Sequence, residues 1–210
     1  FYLRKGVRWS DGEPFTVDDI LFTWDDVVKS DAINTPNVPK IRSVFEEGGA
    51  YAAAGGLPDF EKIDNYTFKV VMQGSFPDIV PAFFATDPWP VEITWLPKHE
   101  MMKVHPAYTD GATMEDWNSA RFPRDKPAVL TPWAPIDVVG DKIVFERNPY
   151  YWKVDAEGQQ LPYIDTIVNK YATTGSEIAL GLASNELWGD FTKASTQEAG
   201  VLKQNEELGN

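Results

Sequence analysis

The sequence predicts an α+β fold, a mixed and largely antiparallel sheet with helices packed on it. Three observations predict it: a helical apolar period over residues 16–29, three separate strand-like segments at 66–72, 142–147 and 164–171, and no regular strand–helix alternation between them. The helix follows Trp9-Ser10-Asp11-Gly12-Glu13-Pro14, whose Asp-Gly and Glu-Pro pairs reverse the backbone. Thr16 is placed to cap it, Asp18 and Asp19 lie in its first turn where the helix dipole favours anions, and Lys29 lies in its last. Val17, Ile20, Leu21, Trp24, Val27 and Val28 recur at three- and four-residue steps and predict one core-facing stripe.

From Asn34 to Pro58 seven Pro and Gly residues interrupt any pattern, leaving an irregular insertion with a short helix expected near Ile41–Phe45. Asp64-Asn65 predicts a hairpin turn into a strand that puts Tyr66, Phe68, Val70 and Met72 on one face. Residues 76–95 are apolar but broken by Pro77, Pro81, Pro88 and Pro90, which predicts a short helix and an extended piece. Residues 101–135 read mostly as loop. A strand at Lys142–Arg147 follows the Gly140-Asp141 turn, Asn148-Pro149 ends it, and a third strand runs over Ile164–Tyr171. Two helices are expected to close the chain, one from Thr174 or Ser176 through Leu182 and one from Thr196 toward Leu208.

The chain has 210 residues, 19 basic against 32 acidic side chains, and a net charge of −13. That field opposes a phosphate backbone or an anionic membrane surface, so nucleic acid is not an expected partner. No run reaches the 18 or more apolar residues of a membrane span. With no Cys, disulfides, thiolate metal sites and Cys nucleophiles are all excluded. Phe1 opens directly into a strand-like segment and Gln204–Asn210 closes no apolar pattern, so the sequence reads as a piece of something longer.

No catalytic constellation emerges. The two imidazoles, His99 and His105, have no metal-ligand spacing, Glu100 is merely the chain neighbour of His99, and no metal or cofactor is expected. Ser176 lacks the flanking glycines of a nucleophile elbow, and no carboxylate pair such as Asp25 and Asp26 has an apolar setting that would raise a pKa. What stands out is 8 Trp, 8 Tyr and 12 Phe, several on Pro-rich loops. Rigid rings there stack on sugars or line a pocket at little entropic cost.

Four stretches carry a resemblance. Phe1-Tyr2-Leu3-Arg4-Lys5-Gly6-Val7-Arg8-Trp9-Ser10-Asp11-Gly12-Glu13-Pro14-Phe15-Thr16-Val17-Asp18-Asp19-Ile20 resembles the signature stretch of the family 5 extracellular solute-binding proteins, the oligopeptide- and dipeptide-binding components of ABC importers. Leu96-Pro97-Lys98-His99 is similar to that family's Pro-Lys-His element. Val144–Trp152 and Leu161–Asp165 are similar to its strand, aromatic cluster and return strand, in the same order. Where relatives carry Gly-Thr-Gly-Pro and an aromatic, this chain has Val129-Leu130-Thr131-Pro132-Trp133, with both glycines replaced. Ala183–Trp188 fits a Gly-Glu-Ile-Asp-like stretch only loosely.

The resemblance implies a non-enzymatic capture protein, periplasmic or cell-surface and monomeric at full length, that holds a peptide or other small solute between two lobes and delivers it to an ABC permease. It implies that residues 1–152 form a subdomain of the first lobe and that 153–210 return into that lobe's main part. Trp133, on the loop returning toward the cleft, and Trp89 and Trp95, in the Pro-rich segment, are the expected ligand contacts. The rival reading is a carbohydrate-binding module or oligosaccharide-binding protein that uses the Trp-rich loops. A glycoside hydrolase fragment, needing two carboxylates in one cleft, ranks below it.

Overall fold

The computed structural model describes residues 1–35, 37–75, 77, 95–121, 126–171, 174–184, 186–187 and 203. Packing divides the chain into two units, Phe1–Asp137 with Phe145–Ile167, and Val138–Val144 with Val168–Asn210. The architecture is the mixed helix-and-sheet arrangement with antiparallel sheets that the sequence predicts.

In the first unit the leading segment runs beside a hairpin. The Phe1 ammonium donates to Phe68 O at 2.7 Å, Phe68 N donates back to Phe1 O at 3.1 Å, and Leu3 N donates to Tyr66 O at 2.7 Å. That hairpin pairs β1, Asp59–Asp64, with β2, Thr67–Val71, antiparallel, with a bulge between Lys62 and Asp64. Only Phe60 and Phe68 are buried in it, and Val70 and Met72 pack beside them, which is the face the alternation predicts.

α1 spans Val17–Leu21 and begins with a complete capping box: Thr16 Oγ1 accepts from Asp18 N, and the Asp19 carboxylate accepts from Thr16 N. The helix then widens over Phe22–Val28 into a π wind, closed by Lys29 N donating to Trp24 O five residues back. Here the single predicted stripe becomes two. Val17, Ile20, Trp24 and Val28 join one core cluster, while Phe22 and Val27 join a second with Ile33, Val38, Leu96, Met101 and Trp117. In the first, the Trp24 ring stacks on Phe60 at 4.8 Å and its Nε1 donates to Pro58 O at 2.6 Å. Each such ring contributes about 1.5–3 kcal/mol by leaving water.

α2 spans Asn37–Ser43, earlier than expected, because Pro39 falls in its first turn where a missing N–H costs nothing. From this helix Arg42 donates to Val28 O and Ser30 O, both at 2.6 Å, and so satisfies carbonyls at the end of the π wind. α3, Lys98–Met101, leads into the stretch expected to be loop, which contains a 3₁₀ turn over Met102–Val104 and α4, Met114–Arg121. Thr113 and Asp116 cap α4 reciprocally, at 2.8 Å from Thr113 N to the carboxylate and 3.2 Å from Asp116 N to Thr113 Oγ1. α4 holds by the fully buried Trp117.

β3, Trp133–Val139, begins inside the stretch expected to be loop; it is followed by β4, Lys142–Arg147, and β5, Thr166–Lys170, in sheet order β3-β4-β5. The two-residue link at Gly140-Asp141 makes β3 and β4 a hairpin. In the first unit Arg147 N donates to Asp165 O at 2.7 Å; in the second Tyr171 N donates to Asp141 O at 2.7 Å, and these pairings set β5 against β4. The second unit also holds α5, Gly175–Ala183, capped by Thr174, whose side chain accepts from Glu177 N at 3.2 Å. The closing helix expected after Thr196 and most of residues 76–95 lie outside the described residues. No described helix is long and apolar enough to cross a membrane.

Candidate functional site

The site is a loop, residues 128–133, and the polar frame in the first unit that fixes it. The frame begins with the Asp19 carboxylate, 4% exposed, which accepts from Thr16 N at 2.9 Å through Oδ2 and from Lys98 N at 3.0 Å through Oδ1. One side chain thus ties the start of α1 to the start of α3. Burial pushes its pKa above the ordinary carboxylate value, and the two backbone N–H groups pull against that rise. One turn on, Thr23 Oγ1 donates to Asp19 O and accepts from Leu96 N, both at 2.9 Å, so the chain before α3 is held twice.

The hairpin at 9–14 forms the second part. Trp9 N donates to Glu13 O at 2.8 Å, and Gly12 sits at φ +96°, where an added Cβ would lie 3.0 Å from the Tyr150 hydroxyl. Ser10 N donates to Val129 O and Ser10 Oγ accepts from Val129 N, each at 3.0 Å, which locks the hairpin to the loop. Glu100 reaches the same loop from α3, accepting from Ala128 N at 2.9 Å.

Asn148 closes the frame. Its side chain is fully buried; Nδ2 donates to Thr131 O at 3.0 Å, Oδ1 accepts from Tyr150 N at 2.9 Å, and its own N–H donates to Pro132 O at 2.8 Å. Five carbonyl or amide groups of residues 128–132 are therefore held by side chains or backbone of distant segments. In the sequence Asn148 marks only the end of a strand; the signal for its role is an Asn before Pro at the close of a strand, where a short amide can satisfy loop carbonyls.

Trp133 emerges from this clamped loop as the first residue of β3, half-buried, with Nε1 donating to Ile164 O at 2.9 Å. Its N–H is used, so what the indole offers a ligand is its ring. Trp95 has a different setting: it is half-buried against the first core cluster, with its ring 6.4 Å from Phe60. Trp89 lies outside the described residues.

The histidines divide. His105 is fully buried; its Nε2–H donates to Asp26 O at 2.8 Å and Nδ1 accepts from Ala107 N at 3.0 Å, so neither ring nitrogen is left for a ligand. His99 is partly exposed, and the 9–14 hairpin brings Asp11 to it from 88 residues upstream, with Oδ2 2.6 Å from Nε2. Chain spacing carries no trace of that meeting.

Against known proteins, residues 1–209 match the family described as bacterial extracellular solute-binding proteins, family 5. A periplasmic α-galactoside-binding protein of Rhizobium meliloti is 30% identical over 203 residues, which cover 94% of this chain and 26% of that protein. The structure of the periplasmic binding protein MelB in complex with stachyose, from Agrobacterium fabrum, has a TM-score of 0.73 and 31% identity over 97% of this chain and 28% of its own. The oligopeptide-binding protein OppA has a TM-score of 0.70 and 28% identity over 100% of this chain and 34% of its own. The chain thus spans between a quarter and about a third of the length of these relatives.

Proposed function

The chain belongs to the bacterial extracellular solute-binding proteins of family 5, and on that premise we propose that it forms part of the first lobe of a two-lobed clamshell that captures a solute and delivers it to an ABC permease. Residues 1–152 are the subdomain of that lobe and 153–210 return into its main part. Capture is reversible closure around the solute, driven by contacts that only the closed state makes. It needs a shaped wall and no bond-making group. The protein works in the periplasm or at the cell surface, as a monomer.

The solute we assign is an oligosaccharide. The observation that carries this is the likeness over 97% of the chain to a binding protein whose structure contains stachyose, supported by the α-galactoside-binding relative. Trp133 suits the role: a clamped loop presents its indole, and with Nε1 tied to Ile164 O the ring face is the surface left for a pyranose to stack on. Trp95, half-buried against the first core cluster, and Trp89 are the other two aromatics proposed for the wall. A second reading, an oligopeptide, rests on the likeness to OppA over the whole chain.

Thermal unfolding of the protein encoded by the complete gene, scanned against stachyose, melibiose, tri- and pentapeptides, tests this. At a sugar concentration about 100 times Kd, bound sugar adds about 2.7 kcal/mol, which raises the midpoint by about 2 °C in a protein of these relatives' length. A rise with peptides alone transfers the assignment to the second reading, and no rise with any solute removes the capture function.

A further inference from the structure

Among the described residues, Asp11, His99 and Glu100 bring one imidazole nitrogen and two carboxylates within 4.8 Å of one another. The capture function uses none of these groups as a ligand contact. We propose that they form a binding site for a single divalent transition metal of the zinc class, which fastens the 9–14 hairpin to α3.

The donor set selects the metal. One nitrogen and two carboxylate oxygens suit Zn²⁺, which takes such donors at about 2.0–2.2 Å in a tetrahedral arrangement, with water completing the set. Calcium and magnesium favour oxygen-only shells. Around a tetrahedral ion, donor atoms stand about 3.3 Å apart. The 2.6 Å between His99 Nε2 and Asp11 Oδ2 has to open, and the widest separation, within 4.8 Å, has to close. Both adjustments are of side-chain rotamer size, and the residues are 30% and 34% exposed on their side chains, which leaves ion and water access.

The frame described above holds these groups in place. Glu13 N donates to Asp11 Oδ1 at 3.0 Å, leaving Oδ2 turned to the imidazole, and Ala128 N donates to Glu100 Oε2 at 2.9 Å. Backbone donors that orient ligating carboxylates in this way raise metal affinity. α3 itself is anchored by Lys98 N on the Asp19 carboxylate, one residue before His99. Two carboxylates facing one imidazole leave the cluster short of positive charge, and a dication supplies it. The other imidazole, His105, has both nitrogens engaged and does not compete.

The test is thermal unfolding of the full chain in ZnCl₂ and in EDTA, with CoCl₂ absorption as an independent reading of coordination. Zinc at about 100 times its Kd raises the midpoint by about 5–10 °C, EDTA reverses the rise, and cobalt gives the intense visible bands of a tetrahedral site. His99→Gln and Glu100→Gln abolish both signals. Glu100→Gln retains an acceptor for Ala128 N, so its melting point in EDTA stays near that of the unaltered chain and separates lost binding from lost folding. No zinc-dependent rise, or a rise and cobalt spectrum unchanged in both variants, overturns the proposal.

Discussion

Asp19→Ala removes the one side chain that joins α1, through Thr16 N, to α3, through Lys98 N. Hydrogen bonds to a charged acceptor contribute about 1.5–3 kcal/mol each, so two lost bonds cost about 3–6 kcal/mol. Removing the carboxylate also removes its burial penalty, whose presence is recorded in its raised pKa, and this returns part of the loss. The net expectation is about 3 kcal/mol, or a fall in midpoint of about 6–12 °C for a chain of this size. Asp19→Asn keeps one oxygen for one of the two N–H donors and falls by about half as much. The two variants also differ from the unaltered chain in pH dependence. Because the folded-state pKa of Asp19 is raised, its favourable linkage is complete below the ordinary value of 3.8 and is lost as pH rises through the folded value. The gap in stability between the unaltered chain and Asp19→Asn therefore narrows as pH rises above 3.8, with every other carboxylate common to both. Urea denaturation at several pH values measures it. A midpoint for Asp19→Ala within 2 °C of the unaltered chain (roughly 0.5–1 kcal/mol), or a gap that widens with pH, refutes the reasoning.

Gly12→Ala forces a Cβ onto a backbone at φ +96° and to 3.0 Å from the Tyr150 hydroxyl, and should cost about 1–2 kcal/mol in urea unfolding. Trp24→Ala empties the stack on Phe60 and the bond to Pro58 O, with an expected loss of about 3–5 kcal/mol by the same assay. Asn148→Ala leaves Thr131 O and Tyr150 N without their side-chain partner at a cost of about 2 kcal/mol, and hydrogen exchange of the Tyr150 amide accelerates while the β1–β2 amides keep their protection.

The helix at 17–28 was legible because Thr16, the two first-turn acids and the apolar steps agree, and the same holds for Thr174 ahead of α5. β2, β4 and β5 were legible from their apolar pattern. β1 was not: Asp59–Asp64 carries one buried residue among charged ones, and its strand state comes from pairing with β2 across the turn. β3 holds Pro135 and starts directly after Pro132, which reads as loop until β4 supplies a partner. α4 buries Trp117 with only Met114 and Ala120 packed beside it, too little for a period to register, although Thr113 and Asp116 spell its cap. Phe22 was missed because the π wind turns a second face inward that a 3.6-residue period does not reach. At the site, Trp133 was legible as an aromatic on a Pro-bounded loop, but what holds that loop was not. Asp19, Asn148 and the meeting of Asp11 with His99 depend on contacts between residues 79, 17 and 88 positions apart. Tertiary structure alone brings such groups together.

The most direct measurement is titration calorimetry with stachyose, run side by side on the isolated 210-residue chain and on the protein encoded by the complete gene. Saturable binding to the complete protein is predicted, weakened by replacing Trp133 with Ala, with no measurable heat from the isolated chain, because the proposed capture closes two lobes on the solute. Equal affinity in both would mark a self-sufficient carbohydrate-binding module and contradict capture between two lobes.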